Sequence, residues 1–311
     1  MTVAWLFPGQ GTQQVGMGRA LYDASSAARN VFDAADRALG WSLTRLCFEG
    51  PESELVLTAN AQPAILTTSL AALAALREAW PELPAPALAA GHSLGEYSAL
   101  VAAGTLELET AVRLVHLRGR AMQEAVPDGA GSMAAIVGGD AAAVAELCRL
   151  AAEGEVVAPA NFNAPGQIVI AGHKAAVERA NALAPAHKLK AIPLKVSAPF
   201  HSPLMAPAAA VLQAALADVT FHPLAFPVVS NVAAEPNSVE ATVAKLLVRQ
   251  VDAPVLWEQS IRFIAESGVT HALEIGPGSV LAGMVKRIDK RIRVHGVGDP
   301  AGVAAARAFL G

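Results

Sequence analysis

Residues 91–96 read Gly-His-Ser-Leu-Gly-Glu, a small-x-Ser-x-small pattern that turns a strand sharply into a helix and leaves a hydroxyl exposed at the bend. The two glycines remove Cβ atoms that would collide in such a turn. Ser93 is therefore a candidate nucleophile, and it needs a base, a site for a developing oxyanion and a grip on its substrate. His201 is the strongest base candidate among the eight histidines. It closes the run Val196-Ser197-Ala198-Pro199-Phe200, at the end of a strand, where catalytic groups collect on loops; the bland alternative is a surface-loop histidine. His92 adjoins Ser93, must leave the elbow in another direction, and is read as structural. No two histidines have the spacing of a helix-face metal pair, so no metal is expected. The group orienting the imidazole is either Asp252, in the loop-like stretch Gln250–Pro254, or a backbone carbonyl; both stay open at this level.

A handle on the substrate comes from the helical segment 107–125. Arg113 and Arg120 are expected to pair at i,i+4 with Glu109 and Glu124 on a solvated face. Arg118 differs, because its helical neighbours are Leu114, Val115, Ala121 and Met122, so it projects from the apolar stripe. A guanidinium there needs a partner. That partner is either an internal Asp or Glu, or a substrate carboxylate held by two parallel N–H···O bonds.

These residues must be positioned by a body of adequate size. The chain has 311 residues, 53% hydrophobic and 16% charged, enough to bury a full core. A net charge of −4 offers no general attraction for nucleic acid. Cys47 and Cys148 lie far apart with no metal or redox spacing, and fit buried thiols in a reducing compartment. The chain opens directly on the strand-like Val3–Phe7 without signal-peptide features, and no apolar run reaches the roughly 18 residues needed to span a bilayer. The expectation is a cytoplasmic protein without a membrane association.

Strand 3–7 runs into the Gly-rich turn Pro8-Gly9-Gln10-Gly11-Thr12. Helices are expected over about 17–38 and 52–59, then from Gln62-Pro63 to Trp80, followed by a linker over 81–86 into the elbow strand. This alternation implies a mostly parallel sheet covered by helices. The middle third reads β (132–137), α (140–150), β (155–162), β (167–171), α (174–184), β (188–196), the ferredoxin-like βαββαβ order. The expected fold is α/β: a large α/β-hydrolase-like body, residues 1–128 and 198–311, with an inserted small ferredoxin-like lobe over 129–197. Beyond it come helices 203–217, 239–247 and 255–267, strands 226–230 and 270–275, and a last helix from about 278. A cleft between body and lobe is a common ligand site.

At this point the chain resembles the malonyl-CoA:acyl carrier protein transacylases of fatty-acid synthesis and the related acyltransferase domains of polyketide synthases. The matching pieces, in order, are Phe7–Gln13, Gln62-Pro63-Ala64, Gly91–Tyr97, Arg118-Gly119 with Met122-Gln123, Asn161–Gln167, His201-Ser202-Pro203, and Gln250-Val251 with Pro254-Val255. They run through nearly the whole chain. The resemblance implies Ser93 as nucleophile, His201 as its base, and the main-chain carbonyl of Gln250 as the group that holds the imidazole. It implies an oxyanion hole from the N–H groups of Gln10 and Leu94, and Arg118 as receptor for the malonyl carboxylate. Gln62, Met122, Asn161 and Phe200 are expected to line the pocket, a bulky aromatic before the histidine going with malonyl in related domains. The implied substrates are malonyl-CoA and the phosphopantetheine thiol of an acyl carrier protein, with no cofactor; a two-lobed chain with no obvious interface stripe fits a monomer. Carrier proteins of this type are acidic, and Lys286, Arg287, Lys290, Arg291 and Arg293, then Lys188, Lys190 and Lys195, are the basic clusters available to them. The rivals are a carrier-protein-directed acyl hydrolase on the same scaffold and a non-catalytic carrier-protein binding module.

Overall fold

Residues Val3–Phe7 feed two cores at once. Val3, Trp5 and Phe7 enter one apolar cluster while Ala4 and Leu6 enter the other, as the period of a strand dictates. A strand buried on both faces is what a parallel sheet covered by helices requires. The structure, a computed structural model, describes residues 2–196 and 198–311; Met1 and Ser197, the latter within the run expected to join lobe and body, lie outside the described residues.

In chain order the strands are β1 (Val3–Phe7), β2 (Leu88–Gly91), β3 (Gly131–Val137), β4 (Val157–Ala164), β5 (Gln167–His173), β6 (Lys190–Pro193), β7 (Val228–Val229), β8 (Pro236–Asn237), β9 (His271–Ile275) and β10 (Arg293–Val297). The larger sheet has the order β10-β9-β1-β2-β7-β8, parallel from β10 to β7 with the short β8 antiparallel at its edge. The second sheet, β4-β5-β3-β6, is antiparallel. Helices Ala141–Ala152 and Lys174–Leu183 cover it and close a small core of its own, in the expected βαββαβ order. The second sheet is latched through the backbone to the segment before the helix Trp257–Glu266, Phe162 N–H to the carbonyl of Val255 and Val255 N–H to that of Ala160, each 2.9 Å.

Several elements differ from the sequence reading. The expected helix 17–38 is two, Arg19–Ala24 and Ser26–Leu39, divided at Ser25, whose Oγ accepts from Ala28 N–H and caps the second. Leu43–Glu49 is a further helix. The expected helix 52–59 is only Glu52–Leu55, and the long helix begins at Thr58 instead of Gln62, with Pro63 inside it. Proline removes the N–H that would bond the carbonyl of Ala59. His116 Nδ1–H donates to that carbonyl at 2.9 Å, so the break is repaired from the neighbouring helix. Strand β7 is only two residues long, and β10 with the helix Pro300–Leu310 follows the helix Val280–Ile288 where a single last helix was expected. Gln250 to Asp252 are not loop but the end of the helix Glu240–Asp252. On the surface Arg120 pairs with Glu124 at 4.0 Å, whereas Glu109 turns to Arg37 at 3.9 Å and Arg113 bonds Thr110. Among the described residues no helix is long and apolar enough to cross a membrane.

Candidate active site

A cavity of about 560 Å³ opens at the carboxyl ends of β1 and β2, walled by the second sheet through Met133, Asn161, Asn163 and Val169. Crevices beyond the carboxyl ends of parallel strands are the usual ligand sites of open α/β sheets.

The elbow sits at its floor. β2 ends at Gly91, the helix Gly95–Ala102 begins four residues on, and Ser93 between them has φ +51°. A Cβ on Gly91 would lie 1.9 Å from the carbonyl of Gly95, and one on Gly95 would lie 2.1 Å from the carbonyl oxygen of Phe7, so neither position admits a side chain. A serine in the left-handed region is strained and persists only if its surroundings over-determine it. They do. Ser93 N–H donates to Asn231 Oδ1 (2.6 Å), Gln250 Nε2 donates to the Ser93 carbonyl (2.9 Å), and Asn231 Nδ2 holds the Gly91 carbonyl (2.7 Å).

Ser93 Oγ lies 2.7 Å from His201 Nε2, and His201 Nδ1–H donates to the main-chain carbonyl of Gln250 at 2.8 Å. That carbonyl belongs to the last turn of the helix Glu240–Asp252, where C=O groups lack intrahelical partners and carry the negative end of the dipole. A helix end therefore does what a triad carboxylate does elsewhere, and Asp252 is not the orienting group. With its proton on Nδ1, the imidazole offers Nε2 as acceptor. Burial, and next the charge of Arg118, lower His201 from its ordinary 6.5 to about 3, so the ring is neutral at pH 7.

Arg118 is buried, 2% exposed. It reaches the cavity because Gly119 lets its helix, Leu108–Glu124, lie against the start of the helix Thr58–Ala79: a Cβ there would be 2.5 Å from the carbonyl oxygen of Thr58. Nη1 donates to Gln62 Oε1 (2.8 Å), and Nη2 donates to Ser93 Oγ (3.1 Å) and Gln250 Oε1 (2.9 Å). All three partners are neutral, and Nε–H has none. The internal ion pair considered from the sequence is thus replaced by a relay. The Gln250 amide that accepts from Arg118 also donates through Nε2 to Glu96 Oε2 at 2.7 Å. The same oxygen accepts Asn231 N–H at 3.1 Å. Burial pushes the Glu96 carboxyl up to about 7.

The other expected site residues gather here. Gln10, Gln62, Met122, Asn161 and Phe200 line the cavity; Gln10 Nε2 donates to Thr58 Oγ1 (3.2 Å), and Met122 Sδ lies 3.8 Å from Gln62 Nε2. Leu94 is buried and caps the elbow helix, beneath Ser93 in the chain. His92, read as structural, lies on the cavity wall with Nε2 2.8 Å from Asn163 Oδ1. Sequence reasoning missed Asn231, Asn163, Glu96 and the side chain of Gln250. The available signal was Ser230-Asn231, a polar pair directly after an apolar strand of a parallel sheet. Among the described residues no group of three or more His, Cys, Asp or Glu is placed to hold a metal ion.

A serine, a neutral histidine and a guanidinium whose direct partners are all neutral, meeting at one oxygen, can transfer an acyl group that carries its own negative charge. Comparison with known proteins agrees. Residues 4–298 match the family model of the acyl transferase domain. The malonyl CoA-acyl carrier protein transacylase of Escherichia coli (strain K12) is 48% identical over 306 residues, spanning 97% of this chain and 98% of that relative. The crystal structure of acyl-carrier-protein S-malonyltransferase from Burkholderia pseudomallei 1710b superposes with a TM-score of 0.95 at 45% identity, covering 98% of this chain and 99% of the other. A malonyl-transacylase solved in complex with its type II polyketide synthase acyl carrier protein gives a TM-score of 0.95 at 44% identity, with 99% and 100% covered.

Proposed function

We infer that this chain, which belongs to the acyl transferase family, moves a malonyl group from malonyl-CoA to the phosphopantetheine thiol of an acyl carrier protein by way of an ester on Ser93. The observation that carries the reading is the meeting of His201 Nε2 and Arg118 Nη2 on Ser93 Oγ, at 2.7 and 3.1 Å.

The malonyl carboxylate takes the guanidinium of Arg118, which has only neutral partners to give up. His201 Nε2 accepts the Ser93 proton as Oγ attacks the thioester carbonyl. The developing oxyanion is met by the N–H groups of Gln10 and Leu94, donors of a kind whose loss costs about 3–4 kcal/mol of transition-state stabilisation. The C–S bond breaks, and the coenzyme A sulfur leaves with the proton from His201. The phosphopantetheine thiol then gives its proton to His201, attacks the Ser93 ester and returns the serine hydroxyl, in ping-pong order. Every proton in this cycle is accounted for by His201 and the two thiols, so the chemistry needs no cofactor. Arrival of a carboxylate on Arg118 also offsets the charge that helps hold His201 low, so the proper substrate sharpens its own base.

Met122, Gln62, Asn161 and Phe200 shape the acyl pocket. The cavity rim carries Lys195 on one side and the helix Val280–Ile288, with Lys286 and Arg287, on the other, which suits an acidic carrier protein. A cytoplasmic monomer is part of the same proposal, in keeping with two free, buried cysteines. The hydrolase reading is not favoured, since a hydrolase of simple acyl groups has no use for a buried carboxylate receptor.

Intact-mass measurement after mixing with malonyl-CoA tests the central step. The wild-type protein is expected to gain one malonyl group and Ser93→Ala none; a stable one-to-one adduct on Ser93→Ala would place the nucleophile elsewhere.

A further inference from the structure

Glu96 closes the elbow motif and has no task in the transfer chemistry, yet it is only 3% exposed. A carboxylate is not buried cheaply, and one in a helix of an otherwise apolar layer calls for a reason. Its Oε2 receives two donors, Asn231 N–H and Gln250 Nε2. The Gln250 amide has its other end on Arg118 Nη2 and its Nε2 shared with the Ser93 carbonyl. Two acceptors on the Nε2 side, Glu96 Oε2 and the Ser93 carbonyl, hold that amide with Oε1 facing the guanidinium, and Glu96 is the charged one of the two.

Charge counting extends the point. One buried cation, Arg118, faces one buried carboxylate, Glu96, across a single amide. The titratable groups coupled to Glu96 are Arg118 on the helix Leu108–Glu124 and Tyr97 on its own helix. The remaining ionisable groups lining the cavity are His92 and His201, both kept neutral by burial, and Lys195 at its rim. A substrate carboxylate settling on Arg118 would leave two buried anions against one cation, an arrangement of which one member is relieved by protonation.

Resting on the reading of Arg118 as receptor for the malonyl carboxylate, we propose that Glu96 is the resident counter-ion and positioning residue of Arg118, and that it takes one proton from solvent when the malonyl group displaces it in that role. The proton adds to the Glu96 carboxylate to give the neutral acid; no other bond changes. On release of the malonyl group to the carrier protein the proton returns to solvent. A monoanionic acyl group is thereby matched to the site by charge as well as by shape, and an uncharged acyl group leaves Glu96 ionised.

Proton uptake on forming the acyl-enzyme from malonyl-CoA is the direct test, measured calorimetrically in buffers of different ionisation enthalpy, with the adduct verified by intact mass. Because the free carboxyl lies near 7, uptake is expected to be close to zero at about pH 6 and between half a proton and one at about pH 8. Acetyl-CoA, which brings no carboxylate, is expected to give no uptake at either pH. Glu96→Gln retains an acceptor oxygen for both Asn231 and Gln250 while losing the charge, and its malonyl adduct is expected to form without uptake. Absence of uptake by the wild type at about pH 8, equal uptake with acetyl-CoA, or undiminished uptake in Glu96→Gln would each overturn the proposal. The first two arms need only the wild-type protein, so they decide the matter even if the variant folds poorly. Failure to form any malonyl adduct would instead overturn the Ser93 ester, which the mass measurement reads separately.

Discussion

Arg118 spends its hydrogen bonds on Gln62, Ser93 and Gln250, three neutral oxygens, so a carboxylate arriving in the cavity improves its situation more than anything already there. Removing the guanidinium should therefore strike malonyl transfer selectively. Arg118→Ala is expected to lower kcat/KM for malonyl-CoA on the order of 100- to 1,000-fold, the ~3–4 kcal/mol typical of a buried charge pair losing one member, and that for acetyl-CoA by less than about tenfold. Equal losses for the two substrates would remove its role as carboxylate receptor. At this scale the sequence was informative where chemistry demands a residue type. Ser93 stood in a turn few segments make, and Arg118 interrupted an apolar stripe. It was mute where a side chain acts on backbone brought from far away. Asn231 grips Gly91 and Ser93 across some 140 positions of chain, and the polar pair Ser230-Asn231 after a short apolar strand hints at a site without saying which backbone it holds.

Elements were legible in proportion to their periodicity and punctuation. The βαββαβ run and the central strands carried continuous apolar stretches bounded by turns, while β7, two residues long, and the edge strand β10 carried too little pattern to fix their extent. Pro63 misled for a physical reason: a proline ordinarily opens a helix, and only a donor from another helix lets it sit inside one. His116 is that donor. Its loss leaves the Ala59 carbonyl unsatisfied, so His116→Ala is expected to reduce stability by about 1–2 kcal/mol in urea denaturation. Pro63→Ala restores a backbone N–H four residues from Ala59, and in that background the same His116→Ala change should cost distinctly less. Additive costs in the double variant would mean that the histidine acts through packing alone.

For the whole molecule, His201 in the cavity and Glu96 on the Gln250 amide behind it pull stability in opposite directions with pH. His201, lowered to about 3, binds protons less readily folded than unfolded, so its contribution is present above its ordinary 6.5 and is lost as pH falls towards 3. Glu96, raised from 4.5 to about 7, binds them more readily folded; its contribution is full below 4.5 and is lost as pH rises through 7. Buried, unscreened and linked to catalysis, Glu96 is a cost that the fold carries at the working pH. Glu96→Gln removes only the second term, because His201 is common to both proteins. The stability difference between variant and wild type should accordingly move in favour of the variant as pH rises from about 4.5 to about 8, by an amount on the order of 3 kcal/mol. Paired urea titrations at several pH values read that difference directly. A difference independent of pH would mean that the carboxyl titrates alike in the folded and unfolded chain, and that the pocket does not hold the charge its geometry assigns to it.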